Sequence, residues 1–173
     1  MLQYQNAVSQ SLNWVDAELV YNDSTRVHGL LKSKKGSCFA YMKFKVNQTD
    51  KAIIVHPDDV YEVHTDAFQF YSIRFQESEH FITSSSFGIL HGGNTIKLLE
   101  TTFFYKTCSC NSRGSYRHGY FLWCNNDYVY VKLKSDTLIT NTIEINVFLA
   151  KHGFPELEKM KSYTLPQLLA YLQ

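Results

Sequence analysis

The sequence predicts an α+β fold: a strand-rich antiparallel curved sheet or partly open barrel running to about residue 140, with short C-terminal helices packed on it. Three observations carry that prediction. The 12 Tyr and 12 Phe, set against 3 Met, favour the pleated, half-buried surface of a sheet. Apolar and polar residues alternate with period two in one segment after another. Beyond Thr140 the period lengthens to about 3.6 residues, the spacing of a helix face. At 173 residues the chain is expected to form one domain, mainly β over 1–140 with a helical tail over 141–173.

The first twenty residues read as a short amphipathic helix or an irregular lead-in. DAELVYND then alternates as a strand and stops at the turn formers Asn22, Asp23 and Ser24. A turn around Lys34, Lys35 and Gly36 separates RVHGLLK from CFAYMKFKV. In the latter, Phe39, Tyr41, Lys43 and Lys45 share one face, and Cys38, Ala40, Met42, Phe44 and Val46 share the other. KAIIVHPDD is an apolar strand closed by Pro57, and VYEVHTDAFQFYSIRFQ holds two more, broken near Thr65 and Asp66. Further strands are punctuated by Gly88 and by the turn at Gly92, Gly93 and Asn94, while Ser84, Ser85 and Ser86 read as a polar turn or edge strand. YFLWCNNDYVYVKL is a hairpin turning at Asn125, Asn126 and Asp127. In the tail, Ile143, Val147 and Ala150 form one helical stripe ending at Gly153. Pro155 opens a short helix through Lys161, and Thr164 caps LPQLLAYLQ.

A formal net charge of +1 excludes a uniformly basic nucleic-acid binder and leaves local charge patterning as the usable signal. The amino terminus shows no basic region followed by an apolar run, so the four cysteines are expected to be reduced and the protein intracellular and cytoplasmic. No run of uncharged apolar residues approaches membrane-spanning length, so no membrane partner is expected. The terminal LAYLQ is compatible with release from a viral polyprotein by a protease that cuts after Leu-Gln, which would place the protein in a host cytoplasm or nucleus.

The densest chemistry-bearing segment is KTCSCNSRGSYRHGYFLWC. Its Cys108, Cys110, His118 and Cys124 supply the thiolates and imidazole that suit tetrahedral zinc, the one cofactor the sequence offers. The CxC spacing lacks the knuckle that CxxC forms, and the plainer reading puts Cys108 and Cys110 on one strand face with Cys124 as a small core hydrophobe. CSCNSRGSYRHG resembles the SWIM zinc motif, CxC followed by CxH, with Tyr116 where that motif has its third cysteine. HGYFLWCNNDYVYVKL resembles the histidine strand of papain-like and ubiquitin-specific cysteine proteases. That resemblance implies a catalytic pair in which His118 takes the proton of Cys38, with Asp136 the nearby acid. Cys38 departs from the family pattern by lying in a strand-like segment rather than at a helix amino terminus.

The remaining histidines are scattered without an HxH or HExxH pattern, and Asp58, Asp59 and Glu62 read as a solvated turn. Charge is more informative. From Arg26 to Lys45 there are six basic residues and no acid, whereas Asp50 to Glu79 holds seven acids. Lys106, Arg113 and Arg117 are interleaved with aromatics that include Tyr116 and Tyr120. Cations beside stackable rings suit single-stranded nucleic acid. The expected function is a non-catalytic binding module. It engages nucleic acid or an acidic protein through Lys32, Lys34, Lys35, Lys43, Lys45, Lys106, Arg113, Tyr116, Arg117 and Tyr120.

On this reading Cys38 resists iodoacetamide until the protein unfolds, and Cys38→Ala lowers stability. Preferential alkylation of native Cys38 at about pH 6, lost in His118→Ala, would instead make the protein an enzyme.

Overall fold

Alternation in the first half of the chain produces six short strands whose inward residues are large and apolar. The computed structural model describes residues 14–32, 41–75, 85–105, 115–135, 137–157 and 163–173. The chain divides into two compact units, residues 1–89 with 101–117, and residues 90–100 with 118–173.

The first unit contains β1 (Val15–Tyr21), β2 (Arg26–Lys32), β3 (Met42–Lys45), β4 (Ile53–Val55), β5 (Val60–Thr65) and β6 (Gln69–Arg74). β1 and β2 form a hairpin at the expected turn. The Thr25 amide bonds Asp23 Oδ1 at 2.9 Å, and Ser24 adopts a φ of 69°. β1 pairs antiparallel with both β2 and β5, giving the order β6-β5-β1-β2-β3-β4. In a flat sheet β4 and β5 would stand about 19 Å apart, four strand spacings. They are joined by only four residues, His56 to Asp59, folded as a turn in which the Asp59 amide bonds the His56 carbonyl at 3.0 Å. A turn of that kind holds its ends within about 7 Å, so the five strands have to wrap around a common interior. Leu19, Leu31, Met42, Phe44, Val55, Val60, Val63 and Phe70 fill it. The alternation expected for residues 42–45 holds: Met42 and Phe44 are buried, Lys43 is exposed. In β4 only Val55 of the three residues is buried.

Gly29 marks the tightest point of this packing. A Cβ there would lie 2.4 Å from the Lys45 carbonyl oxygen and 2.5 Å from the Phe44 ring. The ring therefore occupies the space a side chain at position 29 would need.

β7 (Ser85–Gly92), β8 (Lys97–Tyr105) and β9 (Ser115–Cys124) each contribute residues to both units. Ser85 and Ser86 are buried in β7, which pairs with β6 and neighbours β8, so these two serines lie in neither a turn nor an edge strand, while Ser84 lies outside the described residues. Ser86 is polar without being wet because its hydroxyl is satisfied internally. Ser86 Oγ lies 2.8 Å from Thr101 Oγ1, which donates to the Phe87 carbonyl at 2.7 Å. Gly88 likewise lies inside β7, opposite Tyr71, instead of interrupting it.

In the second unit β10 (Asp127–Val131) pairs antiparallel with β9, Asp127 opposite Cys124. The two-residue turn between them places Asn125 and Asn126 at φ 50° and 65°, the left-handed conformation that Asn tolerates and a tight hairpin requires. β11 (Leu133–Lys134), β12 (Leu138–Ile139) and β13 (Tyr163–Thr164) form a small antiparallel sheet, accompanied by α1 (Thr142–Lys151) and α2 (Leu165–Tyr171). Ile96, Leu98, Leu122, Ile145, Phe148, Leu149 and Leu168 belong to one buried cluster. Thr164 begins α2 as expected, its amide donating to Gln167 Oε1 at 2.9 Å. The strand-rich antiparallel character with short terminal helices is thus as the sequence predicts. Two details differ. α1 buries Ile145, Phe148 and Leu149, leaving the Ile143, Val147 and Ala150 stripe outside. Residues 154–157, where Pro155 was expected to open a helix, are irregular. Among the described residues no helix is long and apolar enough to cross a membrane.

Gly29→Ala is expected to lower the free energy of unfolding by roughly 1–3 kcal/mol, because Phe44 must leave its buried position. Urea titration of the two proteins measures this directly.

Candidate functional site

Residues opposed in an antiparallel pair share a sheet face. Leu30 opposes Asp16 and Lys45, Lys32 opposes Lys43, and Lys43 opposes Ile54. Since Met42 and Phe44 point inward, Lys32, Lys43 and Lys45 share the outward face of β2 and β3. Trp14, just before β1, joins them: its ring centroid lies 4.6 Å from Lys45 Nζ and 6.0 Å from Lys32 Nζ. Ammonium groups at this range are attracted by the negative face of the indole. Lys45 also donates to the Gln48 carbonyl at 2.7 Å, which fixes its reach, while Lys43 is exposed. Like charges directly opposed on neighbouring strands repel, so the Lys32 and Lys43 pair stores unfavourable energy that an anion would relieve.

The same face changes sign towards β1. Glu18 Oε2 accepts from Arg26 at 2.7 Å, and its Oε1 lies 3.2 Å from His28 Nε2. An open groove of about 710 Å³, lined in part by Asp16, Glu18, His28, Asn47, His64 and Asp66, begins there. The carboxylates of Asp16, Glu18 and Asp66 make this side of the face negative.

A second cluster lies in the second unit. Glu100 on β8 receives hydrogen bonds on both carboxylate oxygens, Oε2 from His91 Nε2 on β7 and Oε1 from His118 Nε2 on β9. The Tyr120 ring stands edge-on to both imidazoles, at centroid separations of 5.6 and 6.1 Å. Burial pushes the Glu100 carboxyl up, but the hydrogen bonds from His118 and His91 outweigh it and hold the group at about 2. The hydrogen bond to Glu100 raises His118 above its ordinary value despite partial burial. The histidines lie on opposite oxygens of the carboxylate, and among the described residues no three His, Cys, Asp or Glu side chains are grouped to hold a metal ion. The cluster is an ionic clamp across three neighbouring strands.

Of the residues singled out from the sequence, Lys32, Lys43 and Lys45 come together. Lys34, Lys35, Cys38, Lys106, Cys108, Cys110, Arg113 and Asp136 lie outside the described residues. Tyr116 and Arg117 lie on β9, Arg117 exposed. Tyr120 is half-buried beside His118. Cys124 is buried in the apolar cluster, with burial pushing its thiol up. It stands six residues beyond His118 on one strand, about 20 Å away, so those two do not converge on a common point. Trp14, His91 and Glu100 were not singled out. His91 and Glu100 lie on the two arms of the hairpin that turns at Gly93, and that pairing was the available signal. Comparison with known families, curated proteins and solved structures finds no match for this chain.

The clamp gives stability a defined pH window. Glu100 is depressed in the folded state, so its contribution is complete above its ordinary 4.5 and fades as pH falls towards about 2. His118 is raised, so its contribution is complete below its ordinary 6.5 and fades as pH rises through the raised value. The stability difference between the wild type and Glu100→Gln is therefore expected to peak between pH 4.5 and 6.5 and shrink on both sides, as read by urea midpoints across pH. A difference independent of pH would contradict the clamp.

Proposed function

We propose that this protein is a non-catalytic binding module whose first unit takes single-stranded nucleic acid on the outward face of β2 and β3. Phosphates contact Lys32, Lys43 and Lys45, and a base stacks on Trp14. The observation that supports this reading is the grouping of three ammonium groups and one indole on a single face, bordered on one side by carboxylates. Sequence-tolerant single-strand binding needs cations spaced along a backbone and a ring that accepts any base, and both elements are present within two neighbouring strands and the residue that precedes β1. A single strand is favoured over a duplex, because the Trp14 ring can stack only on a base that is already unpaired.

Three phosphate contacts on a single strand correspond to a salt slope of about −2, so affinity for a labelled oligonucleotide is expected to fall roughly twentyfold between 50 and 200 mM salt. Replacing Lys32, Lys43 and Lys45 together by Glu abolishes binding, with circular dichroism checking that the variant is folded. Trp14→Ala weakens binding at every salt concentration without changing the slope. Fluorescence anisotropy measures all three. Binding that ignores salt, or survives the triple substitution, would remove nucleic acid as the ligand of this face; salt-insensitive capture of an acidic protein would identify the other partner class.

A further inference from the structure

Helix α1 turns a second apolar row towards solvent. Ile143 is 80% and Val147 67% exposed, and Ala150 completes the row one turn on, while the opposite side buries Ile145, Phe148 and Leu149. Two β-branched residues so exposed at i and i+4 form a continuous patch that water disfavours.

What flanks this row indicates its cover. At its amino-terminal end Lys132 Nζ lies 2.9 Å from Glu144 Oε1; at its carboxy-terminal end Lys151 Nζ lies 2.7 Å from Asp127 Oδ2. A two-fold axis level with Val147 would bring these ends together. Glu144 of one copy then meets Lys151 of the other, Lys132 meets Asp127, and Ile143 meets Ala150. Each end of the seam carries two acids and two bases in alternation, and the two helix dipoles oppose one another favourably. A parallel arrangement would align the two helix dipoles unfavourably and leave Glu144 of one copy and Lys151 of the other at opposite ends of the seam, where they cannot meet. In the antiparallel orientation the row is complementary to itself, the requirement of an isologous interface.

We propose that a second copy of this chain covers this face, α1 packing antiparallel on α1 across a two-fold axis. The dimer is weak. Three apolar side chains per copy bury far less than the roughly 800 Å² per partner of a standard interface.

Sedimentation velocity from about 10 µM to 1 mM tests this, with circular dichroism confirming that each variant is folded. The wild type is expected to shift from monomer to dimer across that range. Val147→Glu places two carboxylates across the axis and abolishes association. Glu144→Lys and Lys151→Glu, each alone, raise the dissociation constant roughly tenfold, because both ends of the seam change from attraction to repulsion. Combining Glu144→Lys with Lys151→Glu in one chain restores wild-type association. A monomer throughout the range, association unaffected by Val147→Glu, or a double variant as weak as the single ones would each overturn the proposal.

Discussion

Four residues between β4 and β5 govern the shape of the first unit. Because His56 to Asp59 close as a tight turn, the outermost strand of the β5-β1-β2-β3-β4 series and the one at its other end are held within a distance that a flat sheet does not permit. Wrapping is the geometric remedy, and it decides which residues face inward. It also sets the demand at Gly29, since the concave side of a small wrapped sheet leaves room for Phe44 only where its neighbour has no side chain. The turn itself is braced from elsewhere in the unit. Asn22 Nδ2 donates to the Asp58 carbonyl at 2.7 Å, tying the β1–β2 turn to it.

The candidate binding face follows from that wrap. Once Met42 and Phe44 are committed to the interior, period-two geometry leaves Lys43 and Lys45 no orientation but outward, and cross-strand register aligns Lys32 with them. A charged face obtained this way is rigid because the backbone beneath it is held by a packed core. Positioned cations on a rigid support lose less freedom on binding than cations on a loop. The carboxylates of Asp16 and Glu18 sit on the adjacent strand of the same face, so the sign of the potential changes within a few strand spacings.

Strand alternation was legible wherever one face is apolar and the other polar, as in residues 42–45 and in the hairpin at Asn125 and Asn126, where two left-handed Asn residues announce the turn. Burial inside a sheet was less legible. Ser86 and Thr101 look wet in sequence and are dry in the fold, because hydroxyls on neighbouring strands satisfy one another, and that pairing is invisible until register is known. The clamp at Glu100 was only half visible: His91 and Glu100 share one hairpin, but His118 comes from a third strand that no spacing within that hairpin records. Trp14 went unnoticed because a single aromatic at a strand edge has no periodic neighbours.

Helix α1 shows what periodicity does and does not determine. Successive residues advance about 100° around a helix, so Ile143, Val147 and Ala150 fall on one side and Ile145, Phe148 and Leu149 on the opposite one. Both rows are apolar, and spacing alone assigns neither to the interior. Size favours the second, since Phe, Leu and Ile remove more apolar surface from water than Ile, Val and Ala. The start of the helix then fixes its rotation. Asn141 is buried; its Oδ1 accepts the Lys132 amide at 2.8 Å and its Nδ2 donates to the Tyr130 carbonyl at 2.7 Å, so the first turn is tied to the end of β10 at two points. With both bonds in place α1 cannot roll to bury the first row without breaking two satisfied buried polar contacts, each costly to lose. The exposed row is therefore a consequence of how the helix is anchored.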